Sequence, residues 1–419
     1  MKKFTFYLSL IALLVTSCDN EGKGAYNGPG IGGDDTEKVK VGEQLPAWEE
    51  GCFDIHFINT ARGECCFYIL PDGTTLLVDA GEVEGDSAMN LTPNKETRPY
   101  ITYANYIKHF MPKGKTAIDY CAPSHFHTDH IGSKDMVTET APAGYRKSGL
   151  TALYDLVPYN HILDRAYPDY PTDDKHETVP RIDGQLAVDW GKFVKWGVKE
   201  KEFTAERFTP GEKQIVMVNN PSKYSDFSIL NICANGFVVG KDSNGKNIIL
   251  GKKSGVGNAA SCGFHVKYGK FDYIACGDLV STAQNLVARY FRDFIGDGNL
   301  DSFKCHHHLA SNGWGSEMQE LNFNPRFILN HCFSTVKPDV GQLLYVLPIK
   351  NGFFATNLHP EIVANSDFVS NNLIKQINGY DGHIVLRVEA GGSSFSIYML
   401  DDSDFEYRVK STHGPYKSK

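Results

Sequence analysis

From residue 50 onward the chain is built of short apolar runs separated by turn residues. Residues 53–59 and 65–70 are rich in aromatic and β-branched side chains, which predicts two strands. Asp72-Gly73 is a hairpin turn signal, and 74–78 continues as a third strand into Asp79. The period then changes. Apolar residues recur at helical spacing over 100–110 and stop before Pro112. Residues 117–122 return as a strand and present the segment His125–Gly132 at its C-terminal end. Strand and helix thus alternate, as in a layered α/β fold. Further on, 214–218 and 227–233 are expected to open a second half-sheet, and 262–268 with 271–276 form a hairpin around Gly269-Lys270. A helix is expected over 282–294, and strands over 303–307, 327–330, 352–355, 383–388 and 395–400. Residues 159–170 and the polar, aromatic stretch 171–207, with Trp190 and Trp196, read as an insertion overhanging the segment His125–Gly132.

The first residues follow a different pattern. Lys2 and Lys3 precede an apolar stretch, 4–15, that is too short to span a bilayer. Val15-Thr16-Ser17-Cys18 then fits a bacterial lipoprotein cleavage box, so residues 1–18 are expected to be a signal peptide, with lipid on Cys18. This places the protein on the bacterial cell envelope, anchored to a membrane. Residues 19–46 are rich in Gly, Asn, Asp, Glu and Lys and read as a flexible tether. One domain is expected over 50–405, and a 41% hydrophobic composition is enough to build its core.

Net charge is −8, near −10 once Lys2 and Lys3 are removed (−8 − 2), which argues against strong general affinity for nucleic acid. Of ten cysteines nine remain after Cys18, an odd number with no compact disulfide spacing; most sit in apolar runs and read as small buried hydrophobes.

The chemistry concentrates in His125-Phe126-His127-Thr128-Asp129-His130-Ile131-Gly132. Three histidines and an aspartate fall within six positions, directly after a buried strand. Imidazole and carboxylate are ligands for zinc, iron and manganese alike. On an extended segment His125 and His127 face the same way and can grip one ion, while Asp129 and His130 turn the other way and can hold a second.

This stretch resembles the signature of the metallo-β-lactamase-fold hydrolases. Thr75–Gly81 is similar to that family's strand ending in Asp-x-Gly, Ile274–Asp278 to the strand delivering a bridging aspartate, and Phe303–His308 to the strand delivering the last histidine. Asn258-Ala259-Ala260-Ser261, Tyr268-Gly269 and Lys304-x-x-His307-His308 further resemble the nuclease-like domain of competence (DNA-uptake) proteins and related phosphodiesterases. The resemblance implies a four-layer αββα sandwich with insertions. It implies one or two divalent ions, with zinc first and manganese or iron as alternatives. His125 and His127 would hold the first ion, Asp129 and His130 the second, Asp278 would bridge, and His307 would complete the second. Asp129 and His308 would serve catalysis, His308 as general acid or as a donor behind the ligands; Asp79 would brace the histidine loop. His331 is the rival for the last ligand position.

The sequence departs from the family's pattern twice. Glu212, in Thr209-Pro210-Gly211-Glu212, stands where many members have a histidine, and Leu309 stands where a glycine follows His-His. The expected activity is hydrolysis of a phosphoester, most simply a phosphodiester, by water ionised on the metal. The alternatives are a lactone, thioester or sulfate ester in the same site, or a surface lipoprotein that binds without catalysis. The substrate is expected to be a small or polymeric ester.

Overall fold

The computed structural model describes residues 39–170, 184–253, 257–296, 300–321 and 323–419. The expected signal peptide, the first twenty residues of the expected tether and part of the expected insertion lie outside these residues.

Two sheets carry the fold. In the first half of the chain β1 (Phe53–Phe57), β2 (Cys66–Ile69), β3 (Thr75–Val78), β4 (Ile118–Cys121), β5 (Tyr159–Asp164) and β6 (Thr204–Arg207) lie side by side in that order. The second sheet holds β7 (Phe227–Ala234), β8 (Phe237–Lys241), β9 (Asn247–Gly251), β10 (Gly263–Tyr268), β11 (Phe271–Ala275), β12 (Ser302–Lys304), β13 (Phe327–Asn330) and β14 (Gly352–Ala355), ordered β14-β13-β12-β11-β10-β7-β8-β9. The chain then returns to the first sheet with β15 (His383–Val388), β16 (Ser394–Leu400) and β17 (Val409–Lys417) beside β1.

Both sheets switch from antiparallel to parallel partway across. The β1-β2-β3 meander is antiparallel and β3-β4-β5-β6 are parallel. In the second sheet β10 and β11 are antiparallel and β11-β12-β13-β14 are parallel. In open sheets, sites collect beyond the carboxyl ends of parallel strands. The segments singled out above leave such ends: Asp79 follows β3, the histidine loop β4, Asp278 β11 and His306–His308 β12.

Alternation along the strands builds three cores. Phe53, Ile55, Phe57, Tyr68, Leu76 and Val78 meet Phe264, Val266, Phe271, Tyr273 and Leu329 between the sheets. Phe67, Ile69, Leu77 and Cys121 point outward, under Tyr103, Tyr106 and Ile107 of the helix Pro99–Phe110 and under Trp190 and Phe193 of the helix Gly184–Glu200. Ile274, Phe303, Ile328 and Phe353 point outward from the other sheet, under Val287 and Phe291 of the helix Ser281–Ile295. Three apolar interfaces separate four layers, αββα, as the motif implies.

The structure departs from the sequence reading in four places. Residues 39–46 are not free: Leu45 is buried, Gly42 N–H donates to Val409 O (2.8 Å), and Val409 N–H donates to Glu43 O (2.9 Å). The compact unit spans Val39–Lys419, so β17 extends it past residue 405. Residues 159–164 are a central strand rather than part of an insertion, and Trp190 does not overhang the site. It is buried against the first sheet, with its indole N–H donating to Asp164 Oδ2 (2.8 Å). Residues 214–218 form no strand, although Ile215 and Met217 are buried and Val216 and Val218 exposed; the backbone instead ties to side chains, Val218 N–H to Thr74 Oγ1 (2.8 Å). The nine described cysteines are all free thiols, eight of them buried. Among the described residues no helix is long and apolar enough to cross a membrane.

Candidate metal centre

The histidine loop is folded by its neighbours before any ligand acts on it. Asp79, in a left-handed conformation (φ 65°), accepts from Ser124 N–H (2.7 Å) and Ser124 Oγ–H (2.7 Å) and from the His130 Nδ1–H (2.8 Å). Ala80 N–H donates to His130 O (2.8 Å) and Glu82 N–H to Thr128 O (3.1 Å). Gly81 runs so close to the backbone carbonyl of Asp129 that no Cβ fits between them. The Asp-Ala-Gly segment is therefore a template against which the histidine loop is cast. Gly277 does the same from the other sheet: its φ is 52°, and a Cβ there would lie 2.8 Å from Ser124 Cβ.

These supports aim one nitrogen of each imidazole. Ser124 Oγ gives its hydrogen to Asp79, so its lone pair accepts from His125 Nδ1–H (3.1 Å), leaving the His125 Nε2 lone pair bare. Asp79 fixes His130 in the same sense, and the carbonyl of His331 fixes His308 through Nδ1 (3.1 Å). Such bonding behind a ring sets its tautomer and the direction of its free nitrogen. His125, His130 and His308 are fully buried, yet each Nε2 is without a hydrogen-bond partner, as is Asp278 Oδ1. Four polar atoms left bare in a protein interior mark the place of an absent binder.

The bare atoms converge. His130 Nε2 and His308 Nε2 each lie 3.2 Å from Asp278 Oδ2, and 3.8 and 3.6 Å from Asp129 Oδ2. The His125 ring is 4.1 Å from that of His130 and 4.7 Å from that of His127. Asp278 is held from behind, its N–H donating to Ser261 Oγ (3.3 Å). Glu64, His130, Asp278 and His308 each offer a donor atom within 4.8 Å of the others. Imidazole nitrogens alternating with carboxylates suit a hard-to-borderline divalent ion, so the residues fit the group the motif implies.

The carboxylates make the cluster a place that favours positive charge, held as protons on its imidazoles when no ion is bound. Burial works against charging His130, but the carboxylates of Asp278, Asp129 and Asp79 outweigh it and hold its pKa well above the ordinary value. His308 is raised by Asp278 and Asp129 against the same penalty. Asp278 is held well below the usual carboxylate range: burial opposes its charge, and the two imidazoles more than offset it. His125 is pushed well below the ordinary value by burial and by His130, so it stays neutral, the form that ligates.

His307 and His308 stand in each other's expected places. Beyond β12 the chain does not stay extended; His306–Leu309 is a tight turn in which His307, His308 and Leu309 all have positive φ (47°, 52° and 57°). The two-residue alternation of an extended chain therefore does not apply. His308 Nε2 enters the cluster. His307 is partly exposed and held at its rim, its Nε2 accepting from Asn258 Nδ2–H (3.1 Å) and its Nδ1–H donating to Asn312 Oδ1 (2.6 Å). His331 is not at the cluster either; it stacks on Phe57 (4.9 Å) and its Nε2 donates to Cys65 O (3.1 Å). The Glu212 side chain is exposed and belongs to no ligand cluster among the described residues. His127 and Asp129 are half-buried, at the mouth.

Glu64 was not singled out in the sequence. Its backbone N–H donates to Asp129 O (2.8 Å), and its buried carboxylate lies 3.0 Å from Lys304 Nζ and 3.6 Å from His308 Nδ1. The only signal was a carboxylate placed between Gly63 and the apolar run Cys65–Leu70. Glu64, Cys66 and His331 also lie close together, but the Lys304 ammonium sits against Glu64 and takes its charge, which leaves His130, His308 and Asp278 as the open donors of the main cluster.

The mouth is closed on one side by the turn after β13. Phe333 meets the His308 ring edge-on (4.7 Å between centroids), and Lys337, bridged to Ser334 across the turn, brings Nζ to 3.7 Å from Asp129 Oδ2.

No family model matches the chain, and no curated protein matches it. Among solved structures it is similar to CmlA, a diiron β-hydroxylase from Streptomyces venezuelae, at 12% identity and a TM-score of 0.38 over 82% of this chain and 55% of that one. It is also similar to the Rm3 metallo-β-lactamase, at 11% identity and a TM-score of 0.28 over 65% of this chain and 82% of that one. A third is AbOPH, a hydrolase of the β-lactamase superfamily, at 9% identity and a TM-score of 0.26 over 58% and 75% of the respective chains. The chain spans about half the length of CmlA. The two large sheets and four layers are consistent with the metallo-β-lactamase type of fold that the histidine motif implies.

Proposed function

We propose that the protein is a metal-dependent hydrolase of phosphoesters, most simply phosphodiesters, displayed on a membrane by lipid on Cys18. The observation that carries this reading is the convergence of the bare His130 and His308 Nε2 atoms on Asp278 in one buried cluster, with the His125 ring 4.1 Å from that of His130.

His130, His308, Asp129 and Asp278 would hold one ion, and His125 with His127 would face a second. When bound, such an ion supplies Lewis acidity and lowers the pKa of water. The chain's own residues do the rest. Asp79, Ser124 and the His331 carbonyl keep each imidazole in the ligating tautomer, so no reorganisation is needed when substrate arrives. Asp129, its side chain 15% exposed, is the carboxylate of the cluster nearest solvent and can accept a hydrogen bond from water entering the mouth. His307, aimed by Asn258 and Asn312, stands at the rim, where a leaving group would depart. This assigns His308 to ligation and His307 to the rim.

Elemental analysis of the purified protein should find zinc, manganese or iron, and the loaded protein should cleave bis(4-nitrophenyl) phosphate. Asp278→Asn should lower cleavage by at least about a hundredfold, since a carboxylate that would hold the ion is lost. A parent chain that binds no transition metal, or an Asp278→Asn variant that cleaves as fast as the parent, overturns the proposal.

A further inference from the structure

The turn after β13 carries a cation whose partner in this structure is a candidate ligand. Lys337 Nζ lies 3.7 Å from Asp129 Oδ2, and only 18% of the Lys337 side chain is exposed. Phe333, 5.8 Å beneath Nζ, fixes the ammonium on the cluster side of the turn. Asp129 is already shared, 3.6 Å from His308 Nε2 and 3.8 Å from His130 Nε2. With ions at both the His130–His308 and the His125–His127 positions, two divalent charges would outweigh the carboxylates of Asp129 and Asp278, and the Lys337 ammonium would face a net positive centre a few ångströms away. Two like charges so close, both partly withdrawn from water, repel unless an anion lies between them. Among the described residues no other carboxylate is paired with Lys337, so the anion comes with the ligand. Lys304, the other lysine near the cluster, cannot serve: it is buried beneath Asp278 and held by Glu64 (3.0 Å) and by the carbonyls of Gly277 and Cys305 (3.2 and 3.1 Å).

We propose that Lys337 is the anion receptor of this site. It takes a charged, non-reacting oxygen attached to the scissile centre, so the substrate is an anionic ester, a phosphodiester or a sulfate ester, and not a neutral lactone or thioester. The inference rests on the hydrolase reading but goes further, because the cluster alone does not separate carbonyl from phosphoryl chemistry. It also gives Lys337 a positioning role in substrate recognition, distinct from ligation.

The test is calorimetric titration of the metal-loaded full chain with inorganic phosphate, for the parent, Lys337→Gln and Lys337→Arg. A charge-assisted contact is worth about 1.5–3 kcal/mol, so the glutamine variant should bind phosphate about ten- to a hundredfold more weakly, while arginine keeps most of the affinity. Metal content of all three should be equal. In kinetics, Lys337→Gln should raise KM for bis(4-nitrophenyl) phosphate more than for the neutral 4-nitrophenyl acetate. Equal phosphate affinity in parent and glutamine variant, or no phosphate binding by the loaded parent, overturns the proposal. So does loss of metal on Lys337→Gln, which would make the lysine a mere support for Asp129. A parent that holds metal and cleaves the phosphodiester, with phosphate affinity unchanged in Lys337→Gln, sinks this inference while leaving the hydrolase reading intact; a parent without metal sinks the hydrolase reading itself.

Discussion

At the scale of single residues, the site is decided by which atom of each side chain is left bare. His307 and His308 are adjacent and chemically identical, yet one nitrogen of His308 is buried against Asp278 and both nitrogens of His307 are used at the rim. His308→Ala should therefore abolish binding at the Asp278 end of the cluster, read as a loss of metal per chain by elemental analysis. His307→Ala should keep the metal and lower turnover alone. The opposite pattern would restore the assignment drawn from an extended strand. Asp79→Asn tests the template: it keeps the shape but cannot accept from Ser124 and His130 as a carboxylate does. Loss of such a support weakens metal affinity by about 10- to 100-fold, measurable by competition with a chromophoric chelator.

At the scale of elements, strands were legible where their pattern was local. The turn Asp72-Gly73, the helix stopped by Pro112 and the hairpin about Gly269-Lys270 are fixed by residues within a few positions, and the structure has all three. The strand Tyr159–Asp164 was hidden because its neighbours are contributed from afar, β4 on one side and β6 on the other. The run 214–218 alternates like a strand, but it is tied through side chains, Gln214 to Arg207 O and Val218 N–H to Thr74, and tertiary context overrides β-propensity. Much of the outward face of β1 was also illegible. Asp54 and His56 alternate with the apolar residues of the strand, yet both are fully buried. Arg387, opposite Asp54 in the β1–β15 register, makes their burial tolerable through two contacts of 2.7 and 2.9 Å. Burial raises the Asp54 pKa, but Arg387 more than reverses this and brings it down to about 2 from 3.8. A lowered carboxylate stabilises the fold above its unfolded pKa and loses that contribution as pH falls toward the folded value. The pair should thus contribute on the order of 2–3 kcal/mol above about pH 4, fading by about pH 2. Urea midpoints of the parent and Asp54→Asn should differ at pH 5–7 and approach one another below pH 3; a gap independent of pH would rule this out.

At the scale of the whole molecule, the two sheets meet beneath the site through one buried ion pair. Glu64, between β1 and β2, and Lys304, at the end of β12, come from opposite sheets and are almost wholly inaccessible. Removing one partner leaves the other charged and buried, which costs about 3–5 kcal/mol. Glu64→Gln and Lys304→Met should each lower the melting temperature, and the double variant should be less destabilised than the two effects added, a coupling that calorimetry reads directly. The histidine signature was legible because its ligands lie within one loop; the Glu64–Lys304 link was not, because it exists only once the sheets have closed on each other. The same closure bears on the turn after β12. Left-handed backbone at a residue other than glycine costs on the order of 1–3 kcal/mol, and His307, His308 and Leu309 are three in succession. Leu309 holds that shape by anchoring in the outer apolar layer, among residues such as Phe303 and Trp314. A glycine would relax the backbone but release the anchor, so this chain keeps the His308 imidazole aimed by a hydrophobic bolt driven in from the far side of the sheet. Loosening that bolt, with the imidazole itself untouched, is then enough to spoil the grip on the ion.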